Sequence, residues 1–205
     1  MAHIPDGVLS LPVLLGGSAL AVGGLVMGLR RLEDRDIAET GILAAVFFVV
    51  SLVSIPLGPS SVHLLLGGLM GIVLGWRAFP AIFVGLLLQA VLFGFGGVTT
   101  LGVDTLNMAL PGVVLAMVGR PLLAGAGSGR TALVGGLVAG LSVLGTIGGV
   151  AAALALSSAA HLPALTVIVA TYLPLALIEA VVTGFALSFL ARVRPEMLAP
   201  LPRPA

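Results

Sequence analysis

From Thr131 to Ile178 the chain carries no Asp, Glu, Lys or Arg, and from Thr40 to Trp76 it carries none either. A soluble domain keeps its surface wet with charge, about a quarter of its residues; here the charged share is 8% and the hydrophobic share 59%. Apolar runs of this length are stable in a bilayer, where every backbone N–H and C=O must be satisfied inside the segment, which leaves helices as the form for such runs. The chain is therefore read as an all-α integral membrane protein, with the lipid bilayer as its first partner. A net charge of +1 gives no basic surface for nucleic acid.

Prolines, glycines and the few charges divide the apolar sequence into about seven transmembrane stretches, near 12–30, 37–56, 60–76, 80–97, 105–119, 131–157 and 163–192. A span takes roughly 20 residues, so 60–76 and 105–119 are short. The first of these follows Ile55-Pro56-Leu57-Gly58-Pro59 and opens on Ser60-Ser61-Val62-His63, which suggests a polar loop dipping into the protein. Irregular backbone at membrane depth is tolerated only beside a cavity or a site.

The nine basic residues are all arginine. Arg30, Arg31 and Arg35 follow the first stretch, Arg77 the third, Arg120 and Arg130 bracket the loop after the fifth, and Arg192, Arg194 and Arg203 follow the seventh. With seven spans all of them fall on one side, and short cytoplasmic loops are where arginine collects. That puts the C-terminus in the cytoplasm and the N-terminus outside, together with the loops at 56–60, 97–104 and 158–162. His3, His63 and His161 then lie outside, as do Asp6 and Asp104. Residues 1–205 make one membrane domain, with 1–10 an external segment and 195–205 a cytoplasmic tail. The start lacks a basic leader, so the N-terminus is expected to be retained.

The chemistry concentrates at that start, Met1-Ala2-His3-Ile4-Pro5-Asp6-Gly7. A histidine so near a free α-amine fits a frayed, solvated end, or a chelate in which amine, backbone amide and imidazole surround one ion in a nitrogen-only plane suited to nickel(II) or copper(II). There are no cysteines, so thiolate ligands are excluded. His63, at the outer start of the third stretch, is either an interfacial hydrogen-bonder or the partner of His3. There is no lysine, so no P-loop and no ATPase of the chain's own.

His3-Ile4-Pro5-Asp6-Gly7, Gly58-Pro59-Ser60-Ser61-Val62-His63-Leu64-Leu65-Leu66, and Gly94-Phe95-Gly96-Gly97 followed by Leu101-Gly102-Val103-Asp104-Thr105-Leu106-Asn107-Met108 together resemble the CbiM/NikM family. These are the substrate-capturing membrane subunits of cobalt and nickel energy-coupling-factor transporters. The resemblance implies a seven-helix subunit holding its metal with the terminal amine, the amide and ring of the near-terminal histidine, and a histidine before the third span. Here those are the amine of Ala2, His3 and His63. It also implies a transmembrane coupling subunit, a small two-span accessory subunit and two ATPase subunits as partners, in the bacterial plasma membrane. The metal is then substrate, and no cofactor is expected. The usual start in that family is Met-His; Ala2 intervenes here, and removal of Met1 would make His3 the second residue. If Met1 stays, its amine takes that place.

Metal-bound imidazoles need partners for their other ring nitrogen, and Asp104, Asn107, Asp6, Ser60, Ser61 and Gln89 are the outer polar residues available. Asp6 is equally suited to capping the first helix. Glu179, in mid-span, should face the protein interior or a subunit contact rather than lipid, in a role the sequence leaves open. The small-residue stripes Gly67/Gly71/Gly75, Gly136/Gly140 and Gly145/Gly149 serve either internal packing or a partner subunit. Two other classes fit less well: a membrane metalloenzyme with an external zinc, for which the chain lacks a His-Glu-x-x-His helix, and a Glu179-dependent secondary transporter, for which it lacks an inverted repeat and a second buried charge.

Overall fold

The computed structural model describes residues 3–53, 55–57 and 60–198; Met1, Ala2, the end of the tail and the side chains of Ser60 and Ser61 lie outside that set. Among the described residues the chain forms seven α-helices, α1 (Leu11–Arg30), α2 (Asp34–Ser51), α3 (Gly67–Leu74), α4 (Ala78–Phe93), α5 (Leu101–Gly119), α6 (Ser128–Ser157) and α7 (Leu162–Val193). One hairpin, β1 (Ile55–Leu57) with β2 (Ser60–Val62), pairs antiparallel with Ile55 opposite Val62.

Five runs are long and apolar enough to cross a membrane: Leu11–Arg30, Gly67–Phe93, Leu101–Leu123, Ser128–Ser157 and Pro163–Val193. The second of them is not straight. α3 starts at Gly67 beside Met108 and Ser142 and ends at Leu74, just past Ile72 and Val73, whose carbonyls accept from the Arg120 guanidinium. After the 3-10 turn Gly75–Arg77, α4 leads back: Arg77 pairs with Asp36 at 2.7 Å, the Gln89 amide donates to Ser51 at 2.7 Å, and Gly96 beyond it lies against His3 and Asp104.

Helices α1, α6 and α7 overlie the stretches expected at 12–30, 131–157 and 163–192, whereas α2 covers Asp34–Ser51 against the expected 37–56, and the bounds of α3, α4 and α5 shift too. The stretch expected at 60–76 is helical only over Gly67–Leu74, because β2 and an extended segment occupy its first half. The stretch expected at 80–97 ends at Phe93: Gly94 adopts a left-handed conformation (φ 67°), its N–H donates to Ala90 O, and Phe95 N–H donates to Gln89 O, which closes the helix. α5 begins at Leu101 rather than 105, since Asp104, read as a loop acid, is buried inside the first turn. Glu33 and Asp36 form a capping box that starts α2 within the charged turn.

The glycine stripes face inward. A methyl group on Gly112 would stand 2.1 Å from the Gly67 carbonyl oxygen, and one on Gly71 would stand 2.3 Å from that of Gly112, so α3 and α5 touch backbone to backbone. Gly136 meets the Ala180 carbonyl, Gly145 meets Pro111 and Gly149 meets Asn107, which joins α6 to α7 and α5. Phe47 of α2, fully buried, fills the space left by Gly85 of α4. Leu15, Leu20, Leu177 and Phe185 are exposed, the apolar outer face that a bilayer covers.

The arginines gather at one end. Arg31 lies over Trp76 at 6.0 Å, Arg77 on Asp36, Arg120 on α3 and on Met197 O, and Arg192 on Ser128. His3, His63 and the start of α5 lie at the opposite end of α3 and α5.

Candidate metal centre

Three elements build the site: the N-terminal segment 3–10, the segment 63–66 after the hairpin, and the 94–104 turn into α5. The N-terminal segment lies across the bundle as a strap. Ile4, 3% exposed, is held at both backbone groups: its N–H donates to Asp104 Oδ1 and Oδ2 at 3.1 and 3.2 Å, and its carbonyl accepts from Thr100 Oγ1 at 2.6 Å. Two residues on, Asp6 accepts from Val98 N–H (3.2 Å), Thr99 N–H (2.9 Å) and the Thr99 hydroxyl (2.5 Å). The strap ends at Ser10, whose N–H donates to Ser157 Oγ at 3.0 Å.

Glycine at 96 and 97 lets the strap lie this close. Gly96 takes φ +77°, a conformation strained for any other residue, and a methyl there would come within 3.2 Å of His3 Cβ. On Gly97 it would stand 2.1 Å from Asp6 Oδ1 and 2.7 Å from the Asp6 backbone nitrogen.

With the strap docked, His3 and His63 meet. Their Nε2 atoms are 3.0 Å apart and their rings stack with centroids at 5.1 Å and an interplanar angle of 29°. Both are buried, 7% and 5% exposed. Burial holds the His3 ring down from 6.5 to about 3, with the neighbouring His63 adding to the effect, and burial also lowers His63. Both imidazoles are therefore neutral at physiological pH and each keeps one lone pair.

The tautomers follow from the partners. His63 Nδ1 lies 3.0 Å from Leu64 O, and a carbonyl only accepts, so Nδ1 carries the proton and Nε2 the lone pair. His3 Nε2 then donates to it, which leaves the His3 lone pair on Nδ1. That is the ring nitrogen able to close a six-membered chelate with the residue's own amide. The 3.0 Å between the two Nε2 atoms is the length of this hydrogen bond; it sets the rings side by side, and an ion about 2.0–2.1 Å from each imidazole would require the His3 ring to turn so that Nδ1 replaces Nε2 opposite His63. Among the described residues no group of three His, Cys, Asp or Glu converges.

The other sequence candidates are placed unequally. Asp104 supports the strap one residue from His3. Asp6 does so from its far side, and it caps neither α1, whose N-cap is Ser10, nor an imidazole. Asn107 is buried one turn below Asp104, against Gly149, with its Nδ2 unpartnered among the described residues. Gln89 is engaged with Ser51. His161 sits in the 3-10 turn Ala159–His161 and makes no described contact with the other histidines. Thr100 carries only a faint signal in sequence, a threonine one residue before a helix that follows Gly96-Gly97. Glu179 faces inward as expected, and its Oε1 accepts from the N–H groups of Leu65 and Leu66.

Known proteins give the family. The family described as "Cobalt uptake substrate-specific transmembrane region", CbiM, matches residues 3–197. The chain belongs to that family. A Haemophilus influenzae protein named for metal transport is 34% identical over 96% of both chains. The cobalt transport protein CbiM of Sorangium cellulosum is 31% identical over 96% of this chain and 94% of its own. The fused nickel transport protein NikMN of Rhodobacter capsulatus is 34% identical over 99% of this chain, which spans 65% of that relative. A crystal structure of a transition metal transporter superposes with a TM-score of 0.73 at 26% identity, covering 93% of each chain. Membership in this family, with five runs able to cross a bilayer, makes the chain a multi-pass membrane protein of cobalt and nickel transport.

Proposed function

We propose that this chain captures nickel(II) or cobalt(II) at the outer face of the bacterial plasma membrane, as the substrate-binding subunit of an ATP-driven energy-coupling-factor importer. The observation that carries the reading is the meeting of two neutral, buried imidazoles from positions 60 residues apart in sequence, brought together by the docked strap. Main-chain nitrogens complete the plane: the Ala2 amine, the His3 amide, His3 Nδ1 after its ring turns toward that amide, and His63 Nε2. If Met1 is retained, its amine serves instead, and an intact mass separates the two.

The reading includes seven spans, with the arginine-rich end in the cytoplasm and the strap outside. The fold-back of α3 and α4 supports it, since it gives α3 and the segment 63–66 one crossing between them and α4 another. A separate coupling subunit, a two-span accessory subunit and two ATPases would drive release; the relative named as a fused transport protein is in keeping with a device of several parts.

The test is metal analysis of purified protein after nickel or cobalt loading, for wild type, His3→Ala and His63→Ala. One equivalent in wild type, lost in both variants, is the expected result. Retention of metal in either variant would overturn the two-histidine site.

A further inference from the structure

We propose that Glu179 is a positioning residue for the metal site, acting on His63 through the Leu64–Leu65 peptide group. Leu64 O and Leu65 N–H belong to one peptide unit. Its carbonyl accepts from His63 Nδ1 at 3.0 Å and its N–H donates to Glu179 Oε1. A second donor, Leu66 N–H, reaches the same oxygen at 2.9 Å. The line therefore runs from carboxylate to peptide to imidazole, ending at the Nε2 that faces His3. It is the carboxylate–histidine support common around bound metals with a peptide group inserted.

Three features argue that the contact is built for this. Glu179 is fully buried in the middle of α7, 114 residues along the chain from Leu65, where an acid is costly unless it has a task. Leu66 takes φ +51°, the one non-glycine residue with positive φ among those described, so the two consecutive N–H groups form a concavity for an anionic oxygen. These N–H groups stand at the entry to α3, which has no side-chain cap of its own. Glu179 supplies that cap from another helix. A carboxylate on the N–H end of a peptide also makes its carbonyl a better acceptor, so Glu179 fixes the His63 tautomer and makes Nε2 a stronger donor to metal.

The inference rests on His63 being a metal ligand, and the experiment separates the two. Nickel and cobalt affinities are measured by chelator competition, and ligand-field spectra recorded, for wild type, Glu179→Ala, Glu179→Gln and Thr183→Val, with thermal unfolding of each. Thr183 is buried one turn further along α7, with its hydroxyl unpartnered among the described residues, and it reports on disturbance of the helix alone. Glu179→Ala should weaken binding about 10- to 100-fold and shift the ligand-field bands. Glu179→Gln, which keeps one carbonyl acceptor, should recover part of both and carries the test if the alanine variant does not fold. Thr183→Val should bind as wild type.

Unchanged affinity and spectrum in both Glu179 variants, or an equal loss in Thr183→Val, would overturn the proposal. If wild type binds neither metal, the capture reading fails and the relay is read from amide exchange of the metal-free protein. Faster exchange over 64–66 in the Glu179 variants would sustain it, and unchanged exchange would overturn it.

Discussion

Replacing Asp104 by alanine removes the contact that holds the strap nearest to His3. Ile4 N–H lies 3.1 and 3.2 Å from the two carboxylate oxygens, and Ile4 is 3% exposed, so the stranded donor has no water to turn to. Such a loss costs about 1–3 kcal/mol. At about 2 kcal/mol, and about 1.4 kcal/mol per tenfold, strap docking weakens on the order of 30-fold. On the proposed function, capture requires the docked strap, and the apparent Kd rises as the docked fraction falls. Thirty-fold is thus a ceiling, reached when docking is marginal and reduced to the extent that Thr100 and Asp6 hold the strap without Asp104.

The assay is nickel competition against a chromophoric chelator in detergent, for Asp104→Ala, Asp104→Asn, Thr100→Val and the Asp104→Ala/Thr100→Val double variant. Asp104→Ala should lose about 5- to 30-fold in affinity. Asp104→Asn should lose less, since it keeps an oxygen acceptor. The double variant should be non-additive, because both side chains grip Ile4. Affinity within twofold of wild type for Asp104→Ala, alongside lowered thermal stability, would show that the carboxyl group serves packing and that the strap argument is wrong.

Gly97→Ala, with its methyl 2.1 Å from Asp6 Oδ1, should displace the strap and lower metal affinity while leaving the helices intact by circular dichroism; wild-type affinity would refute the close-approach reading. Gly112→Ala drives a methyl into the Gly67 carbonyl and should destabilise the bundle by about 1–3 kcal/mol, read as a lower unfolding temperature in detergent. His3, held down from 6.5 to about 3, binds more protons unfolded than folded between those values. Its neutral burial therefore contributes stability that is complete above 6.5 and is lost as pH falls toward 3. A pH series of thermal unfolding should show wild type losing stability over that window more steeply than His3→Ala, and parallel curves would count against burial of a neutral ring.

How much of this was legible in sequence follows from which forces are local. The long helices were readable from α1, α6 and α7, because a charge-free run in a bilayer must satisfy its own backbone whatever surrounds it. The His3 and His63 pair was legible as a motif, and the one-sided arginines pointed to both histidines sharing an end. The ends of α3, α4 and α5 were not legible. They are set by Glu179 reaching Leu65 and Leu66, by Gly94 leaving helical space, and by Asp104 turning inward to Ile4, each a contact between segments far apart in the chain.

The sequence by itself determined that this is a helical membrane protein, since its composition allows little else, and the absence of cysteine leaves nitrogen, oxygen and methionine sulfur as the donors it can offer a metal. Tertiary structure alone decided that Asp6, Thr100 and Asp104 hold a strap, that the glycine stripes pack inward, and that Glu179 is spent on the backbone behind His63. The physical reason is that a buried donor or acceptor takes whatever partner the fold brings within about 3 Å, and that distance is a property of packing, which residue order specifies only through the whole chain.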